Sequence, residues 1–80
     1  MKVRVKFIGF AAGERPEGGA TTLDLPEGAS LADALEALGL TGAGGMMTLH
    51  GEASVPDGKR AETPLTEGDE VTVFAPLKGG

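Results

Sequence analysis

Leu25-Pro26-Glu27-Gly28-Ala29-Ser30-Leu31-Ala32-Asp33-Ala34-Leu35 is the stretch that decides the fold. Pro26-Glu27-Gly28 closes one element, since proline fixes φ and glycine reaches angles closed to other residues. Ser30 then starts another. It is a good N-cap with Asp33 three residues later, and Leu31, Ala34, Leu35 and Leu38 fall at i, i+3, i+4 and i+7. The spacing predicts a short amphipathic helix from Leu31 that ends at Gly39. A helix with one apolar stripe needs one sheet face to cover it, which is the two-layer solution for a small chain.

That sheet is written on both sides of the helix. Upstream, Thr21, Leu23 and Leu25 alternate with Thr22 and Asp24, and Val3, Val5 and Phe7 alternate with Arg4, Lys6 and Ile8. This is the period-2 pattern of half-buried strands. The first strand is expected over residues 2–10, joined to the second by the turn-rich loop 11–19. Downstream, Met47 and Leu49 alternate with Thr48 and His50, suggesting a third strand, and Glu70-Val71-Thr72-Val73-Phe74 reads as the last. Residues 51–69 read as mostly irregular, with a turn at Val55-Pro56-Asp57-Gly58 and one helical turn seeded by Thr63-Pro64-Leu65. The order is strand, strand, helix, strand, irregular segment, strand.

Eighty residues with 40% hydrophobic content support one modest core and leave little for a large catalytic cleft. Twelve acidic against seven basic residues give a formal net charge of -5. That balance disfavours a nucleic-acid backbone and suits a partner with a basic surface. No cysteine is present, so there is no disulfide, thiolate metal site or cysteine nucleophile. Lys2, Arg4 and Lys6 interrupt the first apolar run, and no later run reaches membrane-spanning length, so a cytoplasmic protein without membrane contact is expected.

The chain ends in Gly79-Gly80. With 14 glycines among 80 residues the pair alone is weak, and it gains weight from what precedes it. Other constellations point to structure. Glu67, Asp69 and Glu70 surround Gly68 as a solvated turn would, and the single His50 lacks any His or Cys at ligand spacing, so no metal site is expected. Gly42-Ala43-Gly44-Gly45 lacks the Lys-Ser/Thr of a phosphate loop. Met46 and Met47 read as core or hairpin residues.

The Leu25 to Leu35 stretch, Thr63-Pro64-Leu65, Gly68-Asp69-Glu70-Val71 and Pro76-Leu77-Lys78-Gly79-Gly80 together resemble the ubiquitin-like sulfur carriers, the small subunit of molybdopterin synthase and the thiamine-pathway sulfur carrier. The resemblance spans nearly the whole chain. It implies an α+β, β-grasp (ubiquitin-like) fold, with a mixed four- to five-stranded sheet packed on one short helix. Residues 1–75 would form the domain and 76–80 a flexible tail. It further implies that a ubiquitin-activating-type adenylating enzyme consumes ATP to activate the Gly80 carboxylate, which becomes a thiocarboxylate. The carrier itself is then no enzyme and binds no cofactor. Gly80 would carry sulfur, Gly79 would be the slender residue behind it, Leu77 an anchor in the partner's channel, and Pro76 and Lys78 the rest of the inserted tail. The recipient would be the molybdopterin synthase large subunit or an equivalent sulfur acceptor.

Within the family, Pro76 four residues from the end resembles the molybdopterin subunits, although Ala75 stands where many have a second proline. The short stretch from Gly39 to the third strand is similar to the thiamine carriers instead. The molybdopterin pathway is favoured, with thiazole synthesis and transfer-RNA thiolation as alternatives. Two other classes stay open: a protein modifier joined to lysine amines, with Lys59 or Lys78 as acceptors, and a plain β-grasp interaction module. Missing cysteines exclude the iron–sulfur variant. If Val3, Val5, Val71 and Val73 face the helix, Ile8, Phe10 and Phe74 fall on the opposite face, where they would form the partner-docking patch that the family uses. A bulge near Gly9 that buries Phe10 is the competing expectation, as is scattered apolar surface.

Overall fold

The computed structural model describes residues 1–10, 17–40 and 46–75. Five strands, β1 (Lys2–Ile8), β2 (Ala20–Asp24), β3 (Met47–His50), β4 (Ala53–Val55) and β5 (Glu70–Phe74), form one sheet in the order β2-β1-β5-β3-β4. The pairing of β1 with β5 is parallel and the other three are antiparallel. The expected mixed sheet with one helix is therefore present, with five strands.

The helix, α1 (Leu31–Ala37), is seven residues long, too short to persist on its sequence alone. Its ends and one face hold it. Asp33 N donates to Ser30 Oγ at 3.2 Å while Ser30 N donates to Asp33 Oδ2 at 2.8 Å, the reciprocal cap that Ser30 and Asp33 predict. At the other end Gly39 takes φ 73°, so that Leu40 N reaches Leu35 O at 2.9 Å and Gly39 N reaches Glu36 O at 3.0 Å. These bonds satisfy carbonyls that the helix leaves open, and only a residue at ease in the left-handed region permits them. Leu31, Ala34 and Leu35 then bury against Val3, Val5, Val71 and Val73, all four valines at 0% exposure. Each large side chain so buried contributes about 1.5–3 kcal/mol.

Three expectations are corrected. The first strand stops at Ile8 rather than Phe10, because Gly9 turns to φ 81° and breaks the alternation. Segment 51–69 is far from irregular. It holds β4, paired with β3 from Thr48↔Val55 to His50↔Ala53, and a 3-10 helix over Asp57–Glu62. Three residues of strand are too few for alternation to register in a sequence. Finally, Thr63-Pro64-Leu65 is extended: Ser30 bridges Pro64, Leu31 N donates to Thr63 O at 2.8 Å, and Leu65 N donates to Ala29 O at 2.9 Å. A residue before proline is driven from the helical region, and Thr63 at φ -107°, ψ 96° obeys that rule.

The 3-10 helix is fastened from beneath by Arg60, which is buried. Its Nε donates to Thr48 Oγ1 at 3.0 Å, one terminal nitrogen donates to Met46 O at 2.6 Å, and the other pairs with Asp57 at 3.0 Å. Thr48 in turn donates to Val55 O at 2.9 Å. A guanidinium taken from water needs this full set of acceptors, and it receives one for each nitrogen. Among the described residues, no helix is long and apolar enough to cross a membrane.

Candidate functional site: the outer face of the sheet

Strand alternation assigns the outer face. Register places Ile8 beside Phe74 and Phe74 beside Met47, so these three form one row across β1, β5 and β3. The next row is Lys6, Thr72 and Leu49, and beyond it Arg4 stands beside Glu70. Ile8 is 46% exposed and Met47 57%, with Phe74 and Leu49 half-buried between them. Nothing in the described chain covers this row. It ends where the described chain ends: Ala75 N donates to Ile8 O at 2.9 Å, the last rung before residues 76–80.

Of the three residues expected to make the patch, Ile8 and Phe74 are together and Phe10 is elsewhere. The turn at Gly9 carries Phe10 back to the core side, where its ring meets Phe7 edge-on with centroids 5.3 Å apart and planes at 74°. Phe10 there joins the partly buried side chains packed on the core. Met47 and Leu49 take its place. As expected of core or hairpin residues, Met46 is buried in the core and Met47 opens the β3–β4 hairpin, where it points out. The inward residue between Met47 and Leu49 is the polar Thr48, made acceptable there by Arg60 and the Val55 carbonyl. That partner lies twelve residues away, and no local pattern announces it.

The tail positions Pro76, Leu77, Lys78, Gly79 and Gly80 lie outside the described residues. His50 and the acidic turn are engaged structurally. His50 Nε2 donates to Asp69 Oδ2 at 2.7 Å, and Asp69 also accepts from Thr66 N at 2.8 Å and Thr66 Oγ1 at 3.0 Å. The hydrogen bond from His50, foremost, and those from Thr66 hold the Asp69 carboxyl below its ordinary range. Glu67 accepts from Lys2 N at 2.9 Å and Glu70 pairs with Lys6 at 3.2 Å. Among the described residues no cluster of three His, Asp or Glu side chains is placed to hold a metal.

A mixed sheet with its first and last strands parallel and adjacent, one helix across one side and an uncovered apolar row on the other, is the arrangement of a small ubiquitin-like carrier domain. The sequence profile described as the ThiS family matches residues 8–80, and the chain belongs to that family of ubiquitin-like sulfur carriers. Three solved structures show the same fold. SAMP1 from Haloferax volcanii superposes with TM-score 0.73 at 21% identity over 100% of both chains. The thiamine biosynthesis protein ThiS from Geobacter metallireducens gives 0.68 at 20% identity, again over 100% of both. A putative molybdopterin converting factor, subunit 1, from Pyrococcus furiosus gives 0.69 at 26% identity over 96% of this chain and 99% of its own. Among curated proteins no sequence matches.

Proposed function

We propose that this protein carries sulfur on its C-terminus: a partner enzyme adenylates Gly80, and the acyl-adenylate is converted to a thiocarboxylate that serves molybdopterin synthesis. The observation that carries the reading is the extent of the family match, which runs through the final Gly79-Gly80. A carboxylate is a poor acyl donor because its charge repels nucleophiles and its oxygen leaves badly. Attack of a Gly80 oxygen on the α-phosphorus of ATP releases pyrophosphate and installs AMP as a leaving group. A sulfide-level nucleophile then displaces AMP, giving the thiocarboxylate and a proton. The adenylating enzyme supplies the ATP site and the catalytic groups, so the carrier is a substrate and needs no cofactor of its own. Pro76 through Gly79 form the narrow segment that enters the partner's channel, and Ile8, Phe74 and Met47 form the docking row behind it. The setting is the cytoplasm.

Pro76 and the 26% identity to the molybdopterin converting factor support the molybdopterin branch. The second reading, thiazole synthesis, draws on the family profile's thiamine-pathway name and the likeness to ThiS. Intact-mass spectrometry of the protein from its own cell is the test. An oxygen-to-sulfur increment confined to the C-terminal peptide is expected, and it disappears in Gly80→Ala. A tail that never holds sulfur sinks the reading, and lysine isopeptides carrying the Gly79-Gly80 remnant replace it with a modifier. Loss of molybdopterin with normal thiamine in a deletion strain separates the two branches.

A further inference from the structure

The chain has three methionines and no cysteine, so the oxidisable sulfur of its side chains is confined to three thioethers. The fold places them very differently. Met1 packs partly buried against the core, and Met46 lies within it at 6% exposure. Met47, its neighbour in sequence, is 57% exposed on the opposite side of the sheet. Strand alternation turns one side chain in and the next out.

Hydrogen bonds on the inner side hold that difference in place. Arg60 donates to Met46 O at 2.6 Å and to Thr48 Oγ1 at 3.0 Å, so the residues on both sides of Met47 are tied to one buried guanidinium. The pairing with β5 fixes the strand itself, with Met47 opposite Phe74 and Thr48 opposite Val73. Rolling Met47 inward would break the bonds of Arg60 and leave a buried charge without acceptors. Its sulfur therefore stays on the outer row with Phe74 and Ile8. Among the described residues, Ile8 and Met47 are the large apolar side chains left exposed.

We propose that Met47 is an oxidation-sensitive modification site that switches the outer row from apolar to polar. A peroxide is the co-reactant: the thioether sulfur attacks one peroxide oxygen, an S–O bond forms as the O–O bond breaks, and the proton on the new S–OH group passes to the departing hydroxide, which leaves as water. Sulfur loses two electrons and the peroxide gains them. The product, methionine sulfoxide, puts a strong acceptor into an apolar row, and covering the row then takes that acceptor out of water without a donor. The core is untouched, because Met47 lies outside it. The consequence for function rests on the carrier reading above. Peroxide also consumes sulfide-level sulfur, so a carrier that docks poorly under that condition is not adenylated when it cannot be loaded. Reduction by a dithiol resets the row, two thiols becoming a disulfide as the oxygen leaves as water.

The test treats the full chain with hydrogen peroxide. Peptide mass spectrometry over time is expected to show one added oxygen on Met47 ahead of Met1 and at least about tenfold faster than on Met46, with the urea midpoint unchanged. On a phenyl column in ammonium sulfate the singly oxidised protein elutes earlier, since that salt strengthens the burial of exposed apolar surface. In ATP–pyrophosphate exchange by the adenylating enzyme encoded in the same genome, oxidation raises KM about fivefold or more and leaves kcat within about twofold, and methionine sulfoxide reductases restore the starting value. Met46→Leu keeps this response to peroxide, and Met47→Leu, measured against its own untreated form, loses it. Oxidation of Met46 or Met1 first, a lowered urea midpoint, or an undiminished response in Met47→Leu overturns the proposal. So does unchanged retention or unchanged KM with Met47 fully oxidised. Exchange absent with the untreated chain overturns the carrier reading, and the mass spectra and the column then decide the site by themselves.

Discussion

The two faces of the sheet are made by the same strands and obey different demands. Along β1 the inner residues Val3, Val5 and Phe7 are buried, and the outer residues Arg4, Lys6 and Ile8 are exposed. Along β5 the inner Val71 and Val73 are fully buried, whereas outward Thr72 is buried and Phe74 half-buried with no helix above them. Inside, apolar area is removed from water by α1 and the side chains interlock. Outside, apolar area collects in one row at one end of the sheet and charge at the other. Burial by the fold explains the first face. On the second face nothing in the described chain covers Ile8 and Met47, and the proposed docking partner would take them out of water.

The comparison breaks if the inner face proves dispensable. Leu31→Ala removes the helix's largest fully buried side chain and is expected to cost about 2–5 kcal/mol, a large share of what so small a domain has. Urea denaturation followed by circular dichroism reads it as a lower midpoint at unchanged slope. A midpoint within error of wild type would mean that α1 is not what holds the sheet. The outer face should behave the opposite way. Ile8→Asp and Met47→Asp are expected to shift stability by less than about 1 kcal/mol, since both side chains are already about half in water. The same variants should raise the KM of adenylation roughly tenfold or more, as a carboxylate in an apolar contact must be desolvated without a partner. Unfolding of either variant, or adenylation at wild-type KM, would erase the distinction between the faces.

The sequence made the inner face legible and the outer face only in part. Period-2 and period-3.6 spacing reports which residues need burial, so the valines of β1 and β5, the Ser30 cap and the Gly39 stop could be read directly. An outer patch depends on which strands become neighbours. Ile8 and Phe74 lie sixty-six positions apart, and Met47 joins them only because β3 flanks β5. Alternation carried through Gly9 places Phe10 in the patch, and the competing expectation of a break near Gly9 that buries it is the one the fold adopts, because Gly9 takes a positive φ. Arg60 was invisible for a related reason: a basic residue in a polar segment reads as surface, and its burial depends on acceptors at Met46, Thr48 and Asp57 that the fold assembles.

The smallest effect concerns the edge where the two faces meet. Asp69 precedes β5 and ties three segments together, through His50 at the end of β3, Thr66 in the turn, and its own carbonyl to Arg4 N on β1. Its carboxyl is held below the ordinary value of about 3.9, chiefly by the His50 hydrogen bond. A depressed carboxyl pKa contributes stability that is fully present above the unfolded value and is lost as pH falls through the folded one. Asp69→Asn should therefore be less stable than wild type at pH 7, by no more than about 1 kcal/mol because the side chain is still 23% exposed. The gap should narrow as pH drops below about 4, where the carboxyl of the unfolded chain begins to take up its proton, and close as pH falls through the lower folded value. Denaturant midpoints for both proteins from pH 7 to pH 3 measure it. A gap independent of pH would mean that Asp69 acts through the shape of its turn and not through its charge.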